Sequence, residues 1–156
     1  MSVGKQTQEW IALRNKKHSE WFFNDIQALA FIDIIFEAIE LTDDLIDQDI
    51  EISHDRIIKN MMNLIITLPN NDFFINNRAY FTPLLVHTLS SWIDSEYLKN
   101  SKDMRHKMLA FHLRNTSLEL YHATAFLLGG FEHLRTVGVE MRTFFALETY
   151  KEWLHG

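Results

Sequence analysis

The chain contains no cysteine. That excludes a disulfide framework, a thiolate nucleophile and any zinc–sulfur centre, and it fits a reducing compartment, with the cytoplasm as the expected location. Only two prolines and five glycines punctuate 156 residues, too few for a fold rich in tight turns. No apolar run is long enough to span a bilayer, because charges interrupt every one. The opening MSVGKQTQEW lacks the apolar stretch of a signal peptide, so no membrane partner is expected. One further absence is local. Between Lys17 and Arg56 lie 38 residues without a Lys or Arg, and they hold 11 of the 21 acids. A charge map so divided offers no continuous basic face for wrapping nucleic acid.

What is present is ordinary for a globular chain: 47% hydrophobic, 13% aromatic and 23% charged residues. The length suits one domain, and residues 1–156 are read as a single helical domain. Apolar spacing of three and four dominates over alternation, so the fold class is all-α. The expected architecture is a compact bundle of five to six helices. A first helix covers residues 5–22, with Trp10, Leu13 and Trp21 toward the core. Asn24 caps a second with Gln27 as its box-like partner, running to about Asp49 and open to continuity with the first. Ser53 caps a third that ends before Pro69. The stretch PNNDFFINNRAY reads as irregular, and Thr82-Pro83 opens a fourth helix. Ser101 caps a fifth that continues through Leu127, and a break at Gly129-Gly130 precedes a sixth from Phe131 to about Leu154.

The second helix is expected to be central and to carry an acidic stripe. Asp33, Glu37, Glu40, Asp44 and Asp47 follow the i, i+4, i+7, i+11, i+14 series of one helical face. The flanks are apolar, with Ile32, Phe36 and Ile39 on one side and Ile34, Leu41 and Leu45 on the other. Like charges at i+3 and i+4 cost a few tenths of a kcal/mol per pair. The acids Asp43, Asp44 and Asp47 also approach the C-terminal end, where the helix dipole disfavours them. A positive group must therefore stand across from the row, and carboxylate oxygens suit Mg²⁺ or Mn²⁺. The alternative is that the row is simply the wet edge of a buried helix.

A second polar stripe, His112, Asn115, Glu119 and His122, steps by three, four and three. If this helix packs antiparallel to the acidic one, the two stripes form one pocket; otherwise these are ordinary hydrogen-bonded residues. Arg114 adjoins the stripe as a phosphate partner, and Arg135 and Arg142 share a face further on.

Three short resemblances accompany these patterns. DDLID, with Asp43, Asp44 and Asp47, resembles the aspartate-rich DDxxD motif of class I isoprenoid synthases, an all-α family in which it implies Mg²⁺ holding a diphosphate. The family's second metal motif is matched only in part, by Asn115 and Glu119, and the chain is shorter than the usual catalytic domain. Glu37-x-x-Glu40 is similar to the Glu-rich helix of the all-α nucleotide pyrophosphohydrolases, though no ExxxD motif stands on the third helix. Glu119/His122 has the ExxH spacing of ferritin-like di-iron bundles, as do Glu51/His54 and Glu152/His155.

The resulting expectation is a divalent-metal-dependent, hydrolase- or transferase-like protein acting on a phosphate- or diphosphate-bearing small molecule. Its metal ligands are Glu37, Glu40, Asp44 and Asp47, then Asp33 and Asp43. Arg114 and Asn115 hold the phosphate ligand, and Glu119 and His122 supply acid–base chemistry. One rival is a non-enzymatic homodimeric interaction or scaffold protein anchored by the aromatic clusters Trp21-Phe22-Phe23, Phe73-Phe74 and Phe144-Phe145. The other is a carboxylate/His di-metal bundle.

Overall fold

The structure is a computed structural model that describes residues 8–48 and 50–155. It is all-α, with no strand among the described residues. The helices are α1 (Gln8–Trp21), α2 (Ile26–Asp47), α3 (His54–Met62), α4 (Asp72–Leu98), α5 (Met104–Leu113), α6 (Leu118–Phe144) and the short α7 (Tyr150–His155). A π-turn over Asn63–Thr67 and a 3₁₀ turn over Leu68–Asn70 prolong α3. No helix among the described residues is long and apolar enough to cross a membrane. The chain divides into two compact units, residues 1–78 and 79–156.

In the first unit, α1 and α2 are separate helices. Phe23 and Asn24 adopt left-handed backbone, with φ of 53° and 56°, which ends α1. Asp25, not Asn24, caps α2, its carboxylate accepting from the Ala28 amide at 2.8 Å. Gln27 is taken up elsewhere, its Oε1 accepting from the Asp72 amide and its carbonyl from Asn71 Nδ2. Helix α2 is the central member of this unit. Ala28, Phe31, Ile32, Ile34, Ile35 and Leu41 are buried along it, and Phe31 packs on Phe73 and Phe74. Leu13, expected in the core, is exposed, whereas Trp21 and Phe22 fill it. Asp49, at the expected end of α2, lies outside the described residues, as do residues 5–7.

Ser53 caps α3 as its sequence suggests, accepting from the Arg56 amide. The irregular stretch expected after Pro69 is instead the start of α4. Buried Asn71 caps it, its Oδ1 accepting from the Phe74 amide at 2.8 Å. Pro83 therefore lies inside a 27-residue helix rather than opening one. Proline removes a backbone donor and disfavours this position, yet the helix continues through it.

In the second unit the expected helix from Ser101 to Leu127 is interrupted. Asp103 caps α5, and residues 114–117 run through i→i+3 hydrogen bonds before α6 begins. At Gly130 the backbone takes φ 72°, ψ −167°, a conformation that essentially only glycine adopts. His122 Nε2 lies 2.9 Å from the Gly138 carbonyl, 16 residues away. Along one straight helix these would stand about 24 Å apart at 1.5 Å per residue. The chain reverses at Gly130, and the halves of α6 form an antiparallel hairpin. Arg142 closes the hairpin on Glu119.

Candidate functional site

The acid row of α2 meets cations supplied by its own unit. Arg56, the first base after the acidic window, comes from α3. Its Nε donates to Glu37 Oε1 at 2.8 Å and its Nη1 to Asp44 Oδ2 at 2.5 Å. One guanidinium thus bridges two turns of the row, a planar fork suited to carboxylates. Arg14 comes from α1, stacks over the Trp10 ring at 5.5 Å, and lies within electrostatic reach of Asp33 and Glu40. Its Nε is buried without a hydrogen-bond partner among the described residues. The positive charge that the sequence demands across from the row is therefore present within the chain.

Glu40 lies within electrostatic reach of both arginines. It makes no hydrogen bond or ion pair with the described residues, and burial raises its carboxyl pKa, with Glu37 and Asp44 adding repulsion and the arginines opposing. Asp33 is also raised by its packed surroundings against the pull of Arg14. However, 64% of its side-chain surface stays open, so this shift carries little stability weight. Buried His18 lies 3.9 Å from Asp33 through Nδ1 and packs beside Trp21 and Phe22. Burial, reinforced by Arg14, lowers its pKa to about 4, so the imidazole is neutral at physiological pH. Asp43, beside the row on the Phe36 flank of α2, is buried, and Asp47 is exposed at the helix end.

The second stripe is divided between α5 and the first half of α6, and its members are engaged within their own unit. Asn115 donates to the Phe111 carbonyl. Glu119 pairs with Arg142 at 2.8 Å. Arg114 pairs with Glu148 at 3.1 Å and lies over Trp153. His122 sets Nδ1 against the Leu118 carbonyl and Nε2 against that of Gly138, both at 2.9 Å. With both nitrogens facing carbonyl oxygens, the ring serves as a strut across the hairpin. His112 is exposed.

Among the described residues, no three His, Asp or Glu side chains converge as a metal-holding group. Comparison with family models, curated proteins and solved structures finds no match. The aromatic clusters read as interface anchors are mostly core: Trp21, Phe22, Phe73 and Phe145 are buried, and Phe23 is the exposed exception.

What sequence reasoning missed is the orientation of α3. Arg56, Asn60, Asn63 and Thr67 recur along one polar face, while Ile58, Met61, Met62 and Ile65 form the apolar one. A surface helix ordinarily buries the apolar face. Here Arg56 points its charge at α2 and Asn60 is 5% exposed, whereas Ile58, Met61, Met62 and Ile65 are 52–67% exposed. The buried Asn60 Nδ2 has no hydrogen-bond partner among the described residues. The spacing in RIIKNMMNLIITL places its Asn and Thr residues on one face with Arg56, but it does not say which face turns inward.

Proposed function

We propose that this chain is a helical interaction protein that docks another macromolecule on the apolar face of α3 and the turn after it. The observation that carries this reading is the inverted helix. Burying a large aliphatic side chain gains about 1.5–3 kcal/mol, and α3 forgoes most of that gain at four positions. Apolar area left open in this way marks a contact surface. Self-association, the homodimer expected from the sequence, is one way to cover it. A cysteine-free chain of this kind suits a reducing, cytoplasmic setting.

The metal-dependent reading of the acid row requires a cation to displace Arg56 from Glu37 and Asp44. In thermal melts with millimolar Mg²⁺ or Mn²⁺, a metal at a hundred times its dissociation constant would add about 2.7 kcal/mol. The expected result is no shift.

The interaction reading is tested by substitution and labelling. Because the chain has no native cysteine, Met61→Cys and Ile65→Cys report directly on access. Both should react with a maleimide at the rate of an unfolded control. Ile58→Ser and Ile65→Ser should alter stability by less than about 0.5 kcal/mol, as surface changes do. Protected cysteines together with losses of about 2 kcal/mol or more would show the face packed away, and the reading would fall.

A further inference from the structure

In a chain without cysteine every oxidisable sulfur belongs to methionine, and there are six of these. Met141 is buried, whereas Met61, Met62, Met104 and Met108 are 52–54% exposed. Access therefore does not set one of these four apart. What does is a polar partner at the sulfur of Met104. The Tyr150 hydroxyl donates to Met104 Sδ at 2.8 Å. This contact joins the first residue of α7 to the first residue of α5, 46 positions apart in the chain.

It is one of a small set of contacts that hold α7 on α5. The Phe111 ring lies 5.5 Å from the rings of both Tyr150 and Trp153, which are 6.0 Å from each other. Arg114 extends over Trp153 and pairs with Glu148. Just before α7, the Thr149 amide and hydroxyl both donate to the Glu152 carboxylate at 2.8 Å. The packed rings position the Tyr150 hydroxyl at the sulfur. A six-residue helix does not persist in water without docking, so the closed fraction of α7 responds to each of these contacts.

A thioether sulfur is a weak acceptor, which makes the Tyr150 hydrogen bond the weak polar link of the set. Oxidation changes that. The Met104 sulfur attacks one oxygen of a hydroperoxide, and an S–O bond forms as the O–O bond breaks. The departing oxygen leaves as water from hydrogen peroxide, or as an alcohol from an alkyl hydroperoxide. The sulfur gives up two electrons and the peroxide takes them. The resulting sulfoxide is polar, and its oxygen accepts from a phenolic O–H far better than the sulfur did. Unbranched and half-exposed, the Met104 side chain has the freedom to turn the new oxygen toward that hydroxyl. A sulfoxide in apolar packing disrupts it, but here a donor is already in place.

We infer that Met104 is a redox-modified site, whose conversion to the sulfoxide by a hydroperoxide fastens α7 onto α5 through the Tyr150 hydroxyl. Enzymatic reduction of the sulfoxide restores the looser state. The inference stands apart from the interaction reading of α3 and uses none of its residues.

Trypsin reports on the fastening. Lys151 is exposed within α7, and cleavage after it requires the helix to open, so the rate of that cut follows the open fraction. Mass spectrometry of the full chain tracks both the cut and the oxidation state of each methionine. Hydrogen peroxide sufficient to convert Met104 should slow the cut roughly tenfold. Met108→Leu should keep this response and Met104→Leu should lose it. Tyr150→Phe retains the ring without the donor and should abolish the slowing. Should that variant leave α7 open from the outset, Met104→Gln provides a second route. Its carbonyl oxygen is an acceptor on an unbranched side chain, and it should slow the cut without any oxidant.

A cut that is as fast or faster once Met104 is oxidised would overturn the inference. Slowing that survives in Tyr150→Phe would do the same, as would a Met104 that resists peroxide after Met108 has been consumed.

Discussion

The two units pair their polar side chains in opposite ways. In residues 1–78, charges on one helix are met by a cation from another: Arg56 on α3 reaches two turns of α2, and in doing so turns the aliphatic side of α3 outward. In residues 79–156, polar side chains are settled inside one folded-back helix, where His122 spans to Gly138 and Glu119 to Arg142. That device leaves the apolar flanks of the hairpin free to bury Leu120, Tyr121, Ala125 and Met141. A cross-helix clamp therefore dictates which face a helix shows to solvent, whereas a clamp within a hairpin does not.

The widest predicted gap between the units is in acid. Folded His18 titrates near 4 rather than 6.5, so between those values the unfolded chain binds the proton and the folded one does not. Stability falls as pH falls through this window, by on the order of 3 kcal/mol. Glu40 opposes it: its raised carboxyl contributes stability that is lost as pH rises through its folded value. Hydrogen exchange at pH 7 and pH 4.5 should show α1 and α2 losing protection ahead of α6. His18→Gln should flatten the slope. An unchanged slope in that variant would assign acid sensitivity elsewhere.

Gly130→Val comes next. A branched side chain at φ 72°, ψ −167° strains the reversal by about 1–3 kcal/mol. Exchange should accelerate in α6 while α2 keeps its protection; equal loss in both would break the contrast. Arg56→Ala reverses the pattern, weakening α2 and α3 by about 1–2 kcal/mol once partial exposure of the pairs is allowed for. It also gives α3 freedom to rotate, so a cysteine at position 61 should label more slowly in this background. Undiminished labelling would show that Arg56 does not set the orientation.

The smallest effect has the opposite sign. Glu40→Gln removes like-charge neighbours at i−3 and i+4 and should raise the melting stability by a few tenths of a kcal/mol at pH 7. A loss of stability would mean that Glu40 is bonded to something essential.

Local pattern carried much of the fold. Periodicity located α2 and its acid row, Ser53 marked the start of α3, and Gly129-Gly130 marked the reversal, because each of these is decided by neighbours within one or two turns. Gly129 shows why glycine was required there. A Cβ at that position would stand 2.5 Å from the His133 Cβ. The start of α4 escaped the same logic. Thr82-Pro83 has the local form of a helix opening, but Asn71 caps the helix earlier and is held by Gln27, 44 residues away. No periodicity encodes that contact.

The candidate site divides along the same line. That negative charge on α2 needs a positive neighbour follows from the spacing of its carboxylates, whose mutual repulsion is a property of one helix. Which cation answers, and what it forces on its surroundings, depends on how separate helices meet. Arg56 lies 19 residues from Glu37 and 12 from Asp44, distances in chain that become ångströms only on folding. From its composition and spacing alone this protein was bound to be helical, cysteine-free and acidic along one rod. Packing decided that the acids would close on an arginine and that four aliphatic side chains would face outward, because a hydrogen-bonded ion pair is directional and apolar burial is not.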